Sequence, residues 1–121
     1  MAKVLIVDDS PAQVLTLKKL VEEWGHLALT ATDGDKAIET ARREQPDVIL
    51  MDVIMPGMNG FQTARQLTRI ESTHAIPIIF VSIRGGEADR VWGMRQGAIA
   101  YITKPVNPEL LCDAISGAVA A

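Results

Sequence analysis

The sequence predicts an α/β domain in which five parallel strands form one doubly wound sheet. Five apolar runs of strand length are each followed by a segment of helical period, and strands apolar at nearly every position belong to sheets covered on both faces. Right-handed crossovers then place helices on each side. Size agrees: 121 residues, 48% hydrophobic and 22% charged, suit one globular domain, expected to span 1–121 with no effector domain attached.

The first strand is Val4 to Val7. Ser10 is placed to cap the helix that follows, with Pro11 at its first position, and Val14, Leu17, Leu20, Val21 and Trp24 mark its inner face before Gly25 stops it. Leu27 to Ala31 form the second strand, and Ala37, Ile38 and Ala41 the buried stripe of the second helix. Val48 to Met51 form the third, followed by a helix marked by Phe61, Ala64, Leu67 and Ile70. The fourth run is Ile76 to Val81. Val91, Trp92 and Met94 mark a fourth helix that contains Gly93 and closes at Gly97; their periodicity favours the core for Trp92 and Met94. Ala98 to Ile102 give the fifth strand. Asn107 then caps a helix begun by Pro108, with an apolar stripe of Leu110, Leu111, Ala114, Ile115 and Ala118.

Composition excludes several function classes. A net charge of −3 provides no basic surface to neutralise nucleic-acid phosphates, so direct DNA or RNA binding is not expected. The single cysteine, Cys112, forms no internal disulfide, and a reducing cytoplasm is the simplest home. The start is too short for a signal-peptide core, and no apolar run approaches the roughly 18 residues of a membrane helix.

In open parallel sheets, ligands bind beyond the carboxyl ends of the strands. Asp8 and Asp9 follow the first strand, and for this pair alone a helix cap and a cation site are equally open. Asp52 follows the third strand, where by itself it reads as a turn residue before Pro56-Gly57. If strands one and three are neighbours, the carboxylates converge. Two of them about 5 Å apart repel by roughly 3 kcal/mol at an effective dielectric near 20, so a cation belongs among them. An all-oxygen cluster suits Mg²⁺. Ser82 ends the fourth strand and Lys104-Pro105 follows the fifth; singly these read as a cap and a solvated charge. Beside three carboxylates they form a site for a phosphoryl group on Asp52, whose oxygens Mg²⁺ and Lys104 would neutralise while Ser82 donates a hydrogen bond.

These residues resemble the receiver domains of bacterial two-component response regulators. The likeness spans the chain and rests on Val7-Asp8-Asp9-Ser10, Leu50-Met51-Asp52, Met55-Pro56-Gly57-Met58-Asn59-Gly60, Ser82, Gly97-Ala98 and Thr103-Lys104-Pro105. It implies a flavodoxin-like strand order of 2-1-3-4-5 and phosphorylation of Asp52 by a histidine kinase. By the same resemblance Asp8, Asp9, Asp52 and the backbone carbonyl of Ile54 hold Mg²⁺, Lys104 pairs with the acyl phosphate, and Ser82 and Tyr101 are the switch pair. A cis Lys104–Pro105 bond is also implied. The segments Asp89 to Ala98 and Asn59 to Thr68 look like stand-alone receivers of chemotaxis-like systems that control type IV pili and twitching motility. That points to a chemotaxis-type kinase as donor, a monomer, and a motility or signalling target bound through helix four, strand five and helix five, where Trp92, Met94 and Tyr101 lie.

Three positions around the phosphate depart from the family's usual choices. Ile83 follows Ser82 where a small residue is more usual, which would narrow access. Ile54 and Arg84 occupy the positions two after the nucleophile and two after the hydroxyl, and supply no carboxylate or amide to orient a water. Ile54 also argues against a haloacid-dehalogenase-type phosphatase, which needs a second carboxylate there. Asp8-Asp9 would repel the pyrophosphate of a dinucleotide. The expected protein is a switch rather than an enzyme, with only self-catalysed phosphotransfer and autodephosphorylation; it either holds a signal for a target or drains phosphate from a shared kinase.

Overall fold

A computed structural model describes residues 1–120. Strands β1 (Lys3–Val7), β2 (Leu27–Ala31), β3 (Val48–Met51), β4 (Ile78–Ser82) and β5 (Ala100–Thr103) alternate with helices α1 (Pro11–Glu23), α2 (Gly34–Glu44), α3 (Gly60–Arg69), α4 (Glu87–Arg95) and α5 (Pro108–Ala120). All neighbouring strands are parallel, in the order β2-β1-β3-β4-β5. The fold class is as the sequence predicts, and the strand order as the resemblance implies. Among the described residues no helix is long and apolar enough to cross a membrane.

Side chains alternate across the sheet and divide the interior into two cores. Val4, Ile6, Val48, Leu50, Ile79 and Val81 meet α1 and α5 through Leu17, Val21, Leu111 and Ile115. Leu5, Val7, Ile49, Met51, Ile78 and Phe80 face the other way, toward Ala37 and Ala41 of α2 and Phe61, Ala64 and Leu67 of α3. The small residues of α2 let that helix sit close to the sheet. Ser10 caps α1, accepting from the Gln13 amide, and Asn107 accepts from the amides of Glu109 and Leu110. Leu110 itself points outward, so the stripe of α5 is narrower than expected.

Two strands begin later than their apolar runs. The Ile76 amide turns back to the carbonyl of Thr73 and Pro77 has no N–H, so the β4 ladder starts at Ile78. Gly97, with φ of +100°, closes α4, and Ala98 and Ile99 lead from it to β5, which starts at Ala100; the Ile99 amide donates to the Ile78 carbonyl at 2.9 Å.

The fourth helix corrects a larger expectation. Trp92 and Met94 are 44% and 46% exposed, and the buried residue of α4 is Gly93 between them. A β-carbon at Gly93 would stand 2.9 Å from Cδ2 of Tyr101 and 3.1 Å from Cδ2 of Phe80. The helix lies so close to these rings that only a glycine fits at the contact, and the bulky neighbours turn to solvent.

Candidate functional site

The ladder fixes which strand ends meet. Val7 pairs with Met51, so the residues that follow, Asp8 and Asp52, leave adjacent central strands side by side. Their backbones continue the ladder for one more step: the Asp52 amide donates to the Val7 carbonyl at 2.9 Å, and the Asp8 amide to Ala31 at 3.2 Å. Ser82 pairs with Thr103 as the last rung between β4 and β5, and the Lys104 amide donates to the Ser82 carbonyl at 2.9 Å. The Lys104–Pro105 peptide is cis.

Three carboxylates converge there. One oxygen from each of Asp8, Asp9 and Asp52 lies within 4.8 Å of the other two; Asp8 and Asp52 are buried and Asp9 is exposed. Lys104 reaches in from the β5 end, its Nζ 2.8 Å from Asp8 Oδ2 and 3.6 Å from Asp52 Oδ2, with its side chain only 8% exposed. The second oxygen of Asp8 accepts from the Ser10 amide at 2.9 Å, and Asp52 Oδ1 accepts from the Ile54 amide at 3.3 Å. Three carboxylates against one ammonium leave two negative charges uncompensated. The donor set is all oxygen, partly buried and open on the Asp9 side, which suits a hard divalent cation that retains waters.

Burial raises the Asp52 carboxyl above the ordinary carboxylate range. Lys104 opposes that shift and Asp8 reinforces it, while the Ile54 amide and the Ser82 hydroxyl favour the charged form. At Asp52 the cost of desolvation outweighs the compensation its neighbours supply.

Ser82 is fully buried beside Asp52 and accepts from the Arg84 amide at 3.2 Å. Tyr101 donates its hydroxyl to the Arg84 carbonyl and is 8% exposed, its ring packed against Phe80 with centroids 5.8 Å apart. The resemblance implies Tyr101 on an outer surface; the structure holds it inside. Burial, reinforced by Asp89, raises its hydroxyl above the usual tyrosine range.

The variable positions are also placed. Ile54 is exposed. Arg84 turns its guanidinium to Asp89, 3.2 Å away, rather than toward the carboxylates. Ile83 is 69% exposed and lines a groove of about 660 Å³ with Gln13, Leu17, Lys104 and Val106; the walls include none of the three aspartates. The side chain of Ile83 thus lies beside Lys104 on the α1 side.

Two residues near the site enter the sequence reading only inside matched segments, with no role assigned to them. Gly60 lies against the Asp52 backbone, and Arg90 reaches from α4 to β5. A glycine opening a helix and an arginine on a helix face are too common to single out without coordinates.

Residues 4–116 match the family model described as the response regulator receiver domain. Protein PilH of Pseudomonas aeruginosa is 50% identical over 120 residues, covering 99% of each chain. Response regulator PleD of Caulobacter vibrioides is 40% identical over 111 residues, which are 91% of this chain and 24% of that longer protein. The crystal structure of chemotaxis protein CheY4 of Vibrio cholerae superposes with a TM-score of 0.90 at 31% identity, covering 98% of each chain.

Proposed function

Because this chain belongs to the response regulator receiver domain family, whose members are the phosphoacceptors of two-component systems, we propose that Asp52 is its phosphoacceptor, charged by a chemotaxis-type histidine kinase. The reading is a single receiver domain that signals by binding another protein in chemotaxis-like control of type IV pili. What carries it is one cluster: a desolvated carboxylate on a central strand end, two further carboxylates, and a buried lysine. The pilus assignment draws on similarity to PilH along the full length of both chains.

Asp8, Asp9, Asp52 and the Ile54 carbonyl would hold Mg²⁺, which when bound supplies the positive charge that three phosphoryl oxygens require. Asp52 supplies the attacking oxygen and is held by the Ile54 amide in line with its strand. Lys104 stands beside the oxygen that would carry the phosphoryl group and compensates its charge. Ser82, whose hydroxyl in the resting state favours the ionised Asp52, would donate to a phosphoryl oxygen instead, and the difference between those two interactions supplies the energy that a population shift requires. Turnover is confined to phosphoryl acceptance and slow self-catalysed loss.

Incubation with acetyl phosphate and Mg²⁺ should add one phosphoryl group by intact mass. Asp52→Asn should abolish it, and Asp9→Ala should weaken Mg²⁺ binding read by the fluorescence of Trp24 and Trp92. Undiminished labelling of the Asp52→Asn variant would overturn the assignment.

A further inference from the structure

Tyr101 is held from two directions. On one side its hydroxyl donates to the Arg84 carbonyl, in the loop that leaves Ser82. On the other, Arg90 reaches down from α4 and grips β5. Its guanidinium carbon lies 5.8 Å from the Tyr101 ring centroid, Nη2 donates to Thr103 Oγ1 at 2.9 Å, and Nη1 donates to the Tyr101 carbonyl at 3.4 Å. A cation over an aromatic face is attracted by the ring quadrupole. Gly93, three residues on and so on the same side of the helix, brings the α4 backbone onto the ring's edge, where a β-carbon would be 2.9 Å from Cδ2 and 3.1 Å from Cε2.

The rest of α4 is tied to α3 rather than to the sheet: Arg65 donates to Gln96 Oε1 at 2.9 Å and lies 5.9 Å from the Trp92 ring centroid. Gly93 is the one buried residue of the helix, and its N-cap, Gly86, offers no side-chain hydrogen bond. The seat of this helix on the sheet is therefore largely Tyr101 itself, flanked by Phe80 and Thr103.

We infer that Arg90 is a positioning residue that clamps Tyr101 in its buried place and makes the seat of α4 depend on where that ring lies. The helix cannot shift on β5 without releasing the ring, and the ring cannot swing out without displacing the guanidinium. Since Tyr101 also bonds the loop that carries Arg84, α4 is linked mechanically to the segment leaving Ser82. The signalling importance of that link rests on the reading of Asp52 as phosphoacceptor; the clamp itself does not.

Tyr101 is the one tyrosine of the chain, so tyrosinate absorbance reports it alone. Two outcomes of Arg90→Met have opposite signs. Arg90 is among the charges that favour the tyrosinate, whereas burial opposes it most strongly. If the ring stays buried after the charge is lost, titration moves to still higher pH; if the ring is released, titration falls toward the ordinary range. The clamp requires the fall, with Arg90→Lys, which retains a cation but not the forked grip, lying between Met and wild type. A rise or no change in Arg90→Met overturns it. Should that variant fail to fold, Thr103→Val removes one anchor and leaves the charge; at neutral pH it should weaken the nuclear Overhauser contacts between the Tyr101 and Phe80 rings, and full retention of those contacts also overturns the clamp. Labelling by acetyl phosphate, run on the same samples, separates this inference from the proposed function. It should persist in Arg90→Met, and its absence from wild type would sink the phosphoacceptor reading while leaving the tyrosine result intact.

Discussion

Gly60 rests against the peptide of Asp52 so closely that a β-carbon there would stand 2.0 Å from the Asp52 carbonyl oxygen and 2.8 Å from the α-carbon of Val53. The obstacle is backbone, which cannot swing aside as a side chain can. The same approach lets the Gly60 amide donate to the Val53 carbonyl at 2.8 Å, fixing the start of α3 to the loop that carries Asp52.

Gly60→Ala is therefore expected to destabilise at the upper end of overpacking costs, about 3 kcal/mol, and to misplace Asp52. Urea unfolding should show the loss, and Mg²⁺ affinity of the folded fraction should fall with it. Wild-type stability together with wild-type Mg²⁺ binding would show that the loop yields freely.

The raised carboxyl of Asp52 gives a pH dependence of defined sign. The folded state holds that proton more tightly than the unfolded chain, whose value is 3.8. Its stabilising effect is therefore complete below that value and is lost as pH rises through the folded pKa. At neutral pH and without Mg²⁺ the ionised group is a cost, so Asp52→Asn should raise the denaturant midpoint, with the gain vanishing in acid. Mg²⁺ requires the ionised form and should be released on acidification at a higher pH than an ordinary aspartate would allow. A variant less stable than wild type at neutral pH in chelator would contradict this.

Lys104 is the one cation among the buried carboxylates, 2.8 Å from Asp8 and 3.6 Å from Asp52. Removing one partner of a buried pair costs about 3–5 kcal/mol when nothing replaces it. Lys104→Met should show a loss near the low end of that range in chelator, since Asp9 is open to water, and should recover part of it as Mg²⁺ is added. Thermal melts with and without Mg²⁺ measure both; an equal loss in the two conditions would mean that metal and lysine do not share the same carboxylates.

Phosphate on Asp52 should be long-lived, because Ile54 offers no polar group to an incoming water and Arg84 is occupied by Asp89. The double change Ile54→Asn, Arg84→Glu should speed hydrolysis by about 10²-fold, the usual worth of a positioned proton-handling group. Ile83→Ala, which trims an exposed side chain beside Lys104, should speed it as well. Decay of the phosphorylated forms followed by intact mass would decide, and equal rates in wild type and the double variant would refute the argument.

The sheet was legible because every strand is a nearly unbroken apolar run, and the carboxylate cluster because Asp8, Asp9 and Asp52 directly follow two of those runs. Lys104 and Ser82 were legible for the same reason. Strand starts were not: Pro77 stands inside the fourth run, and the turn at Gly97 delays the fifth strand past Ala98 and Ile99, which hydrophobicity alone treats as part of it. Trp92 and Met94 were misplaced because helical periodicity cannot reveal that α4 meets the sheet through Gly93. Tyr101 followed no rule of composition; whether a ring on an outer strand lies in or out depends on Phe80, Arg84 and Arg90, which only the fold brings together.

The ion pair between Asp8 and Lys104 joins residues 96 positions apart, one at the end of the first strand and the other just past the last. On the ribosome the acidic residues emerge first, and their countercharge follows only after all five strands have been made. A fragment lacking the fifth strand would carry the aspartates without the ammonium that makes their company tolerable. Such a fragment would also lack Tyr101, Ile102, Leu111 and Ile115, so the segment that brings the acids their countercharge is the same one that closes the interior on both faces of the sheet.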